Sequence, residues 1–138
     1  DAKEAYRRIT TRYPESRLVP LAHGQIGNCY FQMAAIDPKF YTNALDSYGM
    51  ALALTNQTSV AARSQAEFGV GQVLERQAKG PPEKPELLKL ALQRYLNVFN
   101  GKNLRSNETA DRAWTRESGF AAARVAEELK QWELAVNI

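Results

Sequence analysis

The sequence predicts an all-α chain of about seven helices folded as repeated hairpins, and three observations predict it. Apolar residues recur at three- and four-residue steps along almost the whole chain, and no stretch alternates apolar and polar residues as a strand would. Proline, glycine and asparagine fall in clusters that divide the periodic stretches. Short motifs return at intervals of more than forty residues, which marks an internal repeat.

A first helix near 1–13 ends at Tyr13-Pro14-Glu15-Ser16. A second is expected near 19–36. Pro20 fits its first turn, where the missing N–H costs nothing, and Ala22, Ile26, Cys29, Tyr30 and Met33 line one face. Asp37-Pro38 reads as a cap followed by proline at the first helical position, opening a third helix near 38–55. A polar turn from Asn56 to Ser59 leads into a fourth near 59–79. Gly80-Pro81-Pro82 is the strongest break. Pro85 then reopens a helix near 85–99, with a stripe of Leu88, Leu92, Tyr95, Leu96 and Phe99, closed by Asn100-Gly101. Ser106 or Asn107 is expected to cap a sixth helix near 107–130, and a seventh follows near 132–138. No linker is long enough to separate two domains, so residues 1–138 read as one repeat domain. The chain begins at Asp1, opens in the second helix of a pair and stops just inside another, so it reads as a fragment truncated at both ends.

The repeat carries most of the information. Ala44-Leu45-Asp46-Ser47-Tyr48 and Ala91-Leu92-Gln93-Arg94-Tyr95 both read Ala-Leu-x-x-Tyr. Ala2 with Tyr6 shows the same step, and Ala135 begins a further copy, so the alanines lie 42, 47 and 44 residues apart. The preceding helices share a second signature: Ile26-Gly27 with Tyr30, Val70-Gly71 with Leu74, and more weakly Ala122-Ala123 with Ala126. A small residue lets a partner helix approach closely, and a bulky one nearby fills the adjoining gap. Glycine inside a helix costs about 1 kcal/mol against alanine, so close packing must offset Gly27 and Gly71.

On these residues the chain resembles the tetratricopeptide repeat family. The family's small-bulky spacing falls on Gly27 with Tyr30 and on Gly71 with Leu74. Its second-helix alanine and aromatic fall on Ala44 with Tyr48 and on Ala91 with Tyr95, and its terminal proline falls on Pro14. The Tyr-Pro-x-Ser form is similar to the longer repeats of bacterial cell-envelope assembly and Tol–Pal-associated proteins, which implies a periplasmic location; the residues themselves are equally compatible with the cytoplasm. The spacing exceeds the usual 34 residues, the family's first-helix tryptophan is absent, and Asn56 and Asn103 stand where later prolines belong. A HEAT- or armadillo-like hairpin array of period ~40–47 therefore stays open.

The resemblance implies a right-handed superhelical solenoid whose first helices line a concave groove. It implies a non-catalytic scaffold holding a peptide or a partner helix there. Projected onto this chain, the groove residues are Gln25, Asn28, Phe31 and Gln32 from the second helix, beside Leu21. The fourth helix contributes Gln65, Phe68, Gln72 and Arg76, and the sixth Phe120 and Arg124, beside Glu128. Amides can pair with an extended backbone, rings supply apolar contact, and arginines can grip acids. Some family members clamp a terminal carboxylate with lysine, asparagine and arginine. Asn28 could serve, but Gly24 stands where the lysine is needed, which argues against that clamp. The alternatives are a structural segment that self-associates end to end, or a non-catalytic domain of an enzyme.

Composition excludes other classes. The 138 residues are 44% hydrophobic and 24% charged, within ordinary globular usage. The net charge is +3 from 18 basic and 15 acidic residues, so the pI of about 9.1 reflects no basic block. Arg7, Arg8 and Arg12 cluster on the first helix, but acids interleave elsewhere and no stripe suited to nucleic acid forms. A single cysteine permits no internal disulfide, and no apolar run suggests direct membrane insertion. One histidine and one cysteine cannot assemble an ordinary zinc site, so neither metal nor cofactor is expected. His23 and Cys29 lie about 240° apart around a helix axis and diverge, which leaves Cys29 as a small core residue and gives no nucleophile–base pair. Gly24, Gly27, Gly69 and Gly71 follow no strand and precede no Gly-Lys-Ser/Thr, so they form no phosphate loop.

Overall fold

The computed structural model describes residues 1–54, 56 and 58–138. Seven helices follow one another: α1 (Ala2–Arg12), α2 (Val19–Met33), α3 (Phe40–Ala53), α4 (Val60–Ala78), α5 (Pro85–Phe99), α6 (Arg112–Glu128) and α7 (Trp132–Asn137). Among the described residues there is no strand. Thr55, expected to end the third helix, and Gln57 of the following turn lie outside the described residues.

Several helix ends follow from the local chemistry. The Asp1 carboxylate caps α1 by accepting from Glu4 N–H at 2.9 Å, and the Ser59 hydroxyl caps α4 by accepting from Ala62 N–H at 3.1 Å. Gly101, at φ +69°, closes α5: Lys102 N–H donates to the Asn97 carbonyl and Gly101 N–H to that of Val98.

Four ends depart from expectation. The sixth helix starts at Arg112, not near 107. Asn107 adopts φ 65°, which no helix accommodates, and it is the Asp111 carboxylate that accepts from Trp114 N–H at 3.0 Å. The same helix stops at Glu128 because Lys130 takes φ 59°, with Gln131 N–H turned back to the Ala126 carbonyl. The second helix ends at Met33; residues 34–36 continue as turns whose Ala35 and Ile36 N–H groups reach back three residues. The third begins at Phe40, since Asp37 and Pro38 form a turn before it, with the Asp37 carboxylate accepting from Lys39 N–H at 3.2 Å.

Each helix packs on the next in sequence, and α2 also packs on α4 and α4 on α6, while among the described residues no two odd-numbered helices bring their Cα atoms within 8 Å. Contact order along the chain gives the directions. Tyr30 stacks on Phe40 while the earlier Asn28 meets the later Tyr48, so α2 and α3 are antiparallel. Glu67 reaches Asn97 while Gly71 faces Tyr95, so α4 and α5 are antiparallel too. By contrast Gln65 covers Gly24 and Arg76 lies over Phe31, so α2 and α4 run in parallel. Phe68 meets Trp114 and Glu75 meets Arg124, which makes α6 parallel to α4. A layer of parallel helices α2, α4 and α6 is thus backed by α3 and α5.

The two repeat tyrosines hold the layers together. Tyr48 and Tyr95 are fully buried, as are Ala44 and Ala91. A Cβ built on Gly27 would lie 2.6 Å from the Tyr48 ring, and one on Gly69 would also clash with that ring. Tyr48 therefore fills a slot whose walls are backbone on both α2 and α4. Tyr95 repeats half of this: Gly71 would place a Cβ 2.6 Å from its ring, and Ala121 and Ala122 join its cluster from α6. Leu74 packs against both clusters, so α4 is common to the two cores. The outer copies differ. Ala2 is exposed and Tyr6 half-buried, and neither α1 nor α7 buries a residue, because each has a single neighbouring helix. Cys29 is half-buried, so the small-core-residue expectation holds only in part.

Gly27→Ala should therefore lower stability. The helix-propensity gain of about 1 kcal/mol is outweighed by overpacking that costs about 1–3 kcal/mol. Gly49→Ala, with nothing within 4 Å of its would-be Cβ, should raise stability by about 0.5–1 kcal/mol. Urea unfolding of both variants checks the pair; shifts of the same sign would contradict the packing of Tyr48.

Candidate functional site

A cleft of about 450 Å³ opens on the α2, α4 and α6 layer. Asn28, Phe31 and Gln32 come from α2, Gln65, Phe68 and Gln72 from α4, and Trp114 and Glu117 from α6. A second cleft of about 210 Å³ shares Phe31 and Gln72 and adds Glu75, Arg76, Lys79 and Arg124, so the two form one groove with an aromatic end and a basic end.

The aromatic end is built on the core. The Phe68 ring centroid lies 5.2 Å from that of Tyr95 and 5.4 Å from that of Trp114, in tilted geometry. Asn28 is held from behind: it accepts from the Tyr48 hydroxyl at 2.7 Å and donates to Gln25 at 3.2 Å. One repeat tyrosine thereby fixes the orientation of a groove amide.

The basic end is organised by Glu75, which is only 8% exposed. It accepts from the Tyr95 hydroxyl at 2.7 Å, from Lys79 at 2.9 Å and from Arg124 at 2.9 Å, so α4, α5 and α6 meet on one carboxylate. Lys79 also pairs with Glu128 at 3.0 Å. Burial alone would raise the Glu75 pKa. The bonds from Arg124, Lys79 and Tyr95 outweigh it and hold the carboxyl below its ordinary value. Burial first, then the adjacent Glu75 charge, push the Tyr95 phenol well above its ordinary value. Arg76 is exposed, with its guanidinium 4.9 Å from the Phe31 ring centre.

Of the residues expected in the groove, Asn28, Phe31, Gln32, Gln65, Phe68 and Gln72 line the aromatic end, and Arg76 and Arg124 the basic end. Gln25 lines neither cleft and serves instead as the acceptor for Asn28. Phe120 is 68% exposed and also lines neither, because it lies about 120° around the α6 axis from Trp114. Leu21 is exposed outside both clefts. Trp114 and Glu117 also line the aromatic end, and Glu75 and Lys79 the basic end, beyond the residues expected from the sequence. The stripe Trp114, Glu117, Ala121 and Arg124 has helical spacing that would have identified the α6 face.

Elsewhere, a cleft of about 420 Å³ between α1, α2 and α3 is bordered by Arg7, Arg8, Glu4 and Asp46, with His23 on its wall. Its charges are mixed, and Arg7 donates to the Tyr30 hydroxyl at 2.6 Å. Among the described residues no helix is long and apolar enough to cross a membrane, and no three His, Cys, Asp or Glu side chains gather as a metal site. No protein-family model, curated protein or solved structure matches the chain.

Glu75 supplies a pH test. A carboxylate whose pKa is depressed by folding stabilises the fold above its unfolded pKa and loses that contribution as pH falls through the folded one. Wild type should exceed Glu75→Gln in stability at about pH 7, and the gap should close as pH falls below the ordinary carboxylate value of 4.5 and through the lowered folded value. Urea unfolding across that range reads it; a gap that does not change with pH would contradict the charge-assisted bonds.

Proposed function

We propose that this chain is a tetratricopeptide-type helical-hairpin solenoid segment, and that it serves as a non-catalytic interaction module whose α2, α4 and α6 groove holds an extended segment of another protein. The observation that carries the reading is the groove itself. Its amides Gln32 and Gln72 stand beside the rings of Phe31, Phe68 and Trp114, the combination an extended backbone with one apolar side chain would use. The parallel α2, α4 and α6 layer supports the solenoid assignment, and the Tyr48 and Tyr95 interlocks support a preformed groove, which spares the ordering cost of a flexible site.

A second reading, self-association of the chain, is favoured by one observation. Trp132 and Val136 of α7 are 60% and 85% exposed on a common apolar face. The two readings separate by salt. Association through that face should resist salt, whereas groove binding assisted by arginine should weaken with it.

In a crosslinking capture from cell lysate, the intact chain should retain a discrete protein that the Gln72→Glu, Arg76→Glu double variant loses. Equal capture by both, or recovery of the chain alone with a salt-resistant dimer in light scattering, would sink the groove reading and leave self-association.

A further inference from the structure

We propose that the segment held in the groove carries a side-chain carboxylate, three or four residues from a large apolar side chain, and that Arg76 binds it; this rests on the groove reading above. The aromatic end provides the apolar anchor point between Phe68 and Trp114. At the basic end the cations are not equivalent. Lys79 is engaged by Glu75 and Glu128, and Arg124 by Glu75. Arg76 has no carboxylate or hydrogen-bond partner among the described residues. Its guanidinium lies over the Phe31 ring, 4.9 Å from the ring centre, and its N–H groups can pair with a two-oxygen acceptor.

The opposite sign stands at the other end. Glu117 lines the aromatic cleft, so an acid there would meet a like charge. The groove is therefore polarised, and an acidic group is favoured only on the Arg76 side. The spacing follows from helix geometry. Phe68 and Arg76 are eight residues apart on α4, which is about 12 Å of rise. An extended chain covers about 3.3 Å per residue, so in a segment lying along α4 three to four residues separate the anchor from the acid. Glu75, Glu117 and Glu128 around the groove work against a polyphosphate backbone and favour a peptide.

A random peptide library displayed on phage, selected on the full chain and counter-selected on Gln72→Glu, supplies the probe. Enriched peptides should carry Asp or Glu three or four positions from an aromatic or large aliphatic residue. In fluorescence anisotropy of one labelled peptide, changing its acid to the amide and changing Arg76→Gln should each weaken binding about three- to tenfold. Together they should weaken it no more than either alone, because both remove one contact. The peptide-side change reads the contact on the unaltered chain. Groove-dependent peptides without the acid, or with additive losses, overturn the inference and leave the groove reading standing. No groove-dependent peptide at all overturns both.

Discussion

The burial of Tyr48 between two backbones is the constraint on which the rest of this structure depends. Its ring stands where Gly27 of α2 and Gly69 of α4 would otherwise carry side chains. An aromatic ring in such a slot gains contact from both helices, and protein interiors tolerate neither a void nor an extra methyl there. The hydroxyl is not left unpaired, which would be costly at zero exposure: it donates to Asn28 on the groove side. Depth of insertion, helix spacing and the orientation of a groove amide are thus set by one side chain.

Tyr95 repeats the insertion with a change that matters. Its hydroxyl meets Glu75, not an amide, so a buried charge enters the second unit. A carboxylate this enclosed is tolerable only when strongly bonded. Lys79 and Arg124 provide that, and in doing so occupy two of the three cations at the basic end. The same requirement leaves Arg76 as the cation facing the groove. Electrostatics in the core therefore decides which charge the surface presents.

Helix number and order were readable because proline, glycine and capping side chains act locally: Pro85, Ser59 and Gly101 each do what their chemistry dictates within one turn. The two central copies of the Ala-x-x-x-Tyr step were readable because both members are buried. The start of α6 was not, since Asn107 is as good a cap as Asp111 on composition, and only the fold of the preceding loop excludes it. That loop is pinned from a distance, by buried Arg63 of α4 bonding Asn103 and Glu108. Most of the groove followed from helical phase on α2 and α4, while on α6 the wrong phase drew in Phe120 and missed Trp114. The packing role of Gly69 is not legible in sequence because its partner tyrosine lies in the preceding hairpin, nor is that of Glu75, since nothing in a sequence ties it to a phenol twenty residues on.

The doubly walled slot around Tyr48 has a geometric consequence. A ring pressed between two backbones is a spacer of fixed thickness, and the separation of α2 and α4 is what determines how wide the groove opens on their far side. Ring size at this buried position is thus a gauge for the width of a surface it meets only through its hydroxyl, so two chains with the same groove residues but different buried rings would present differently proportioned clefts.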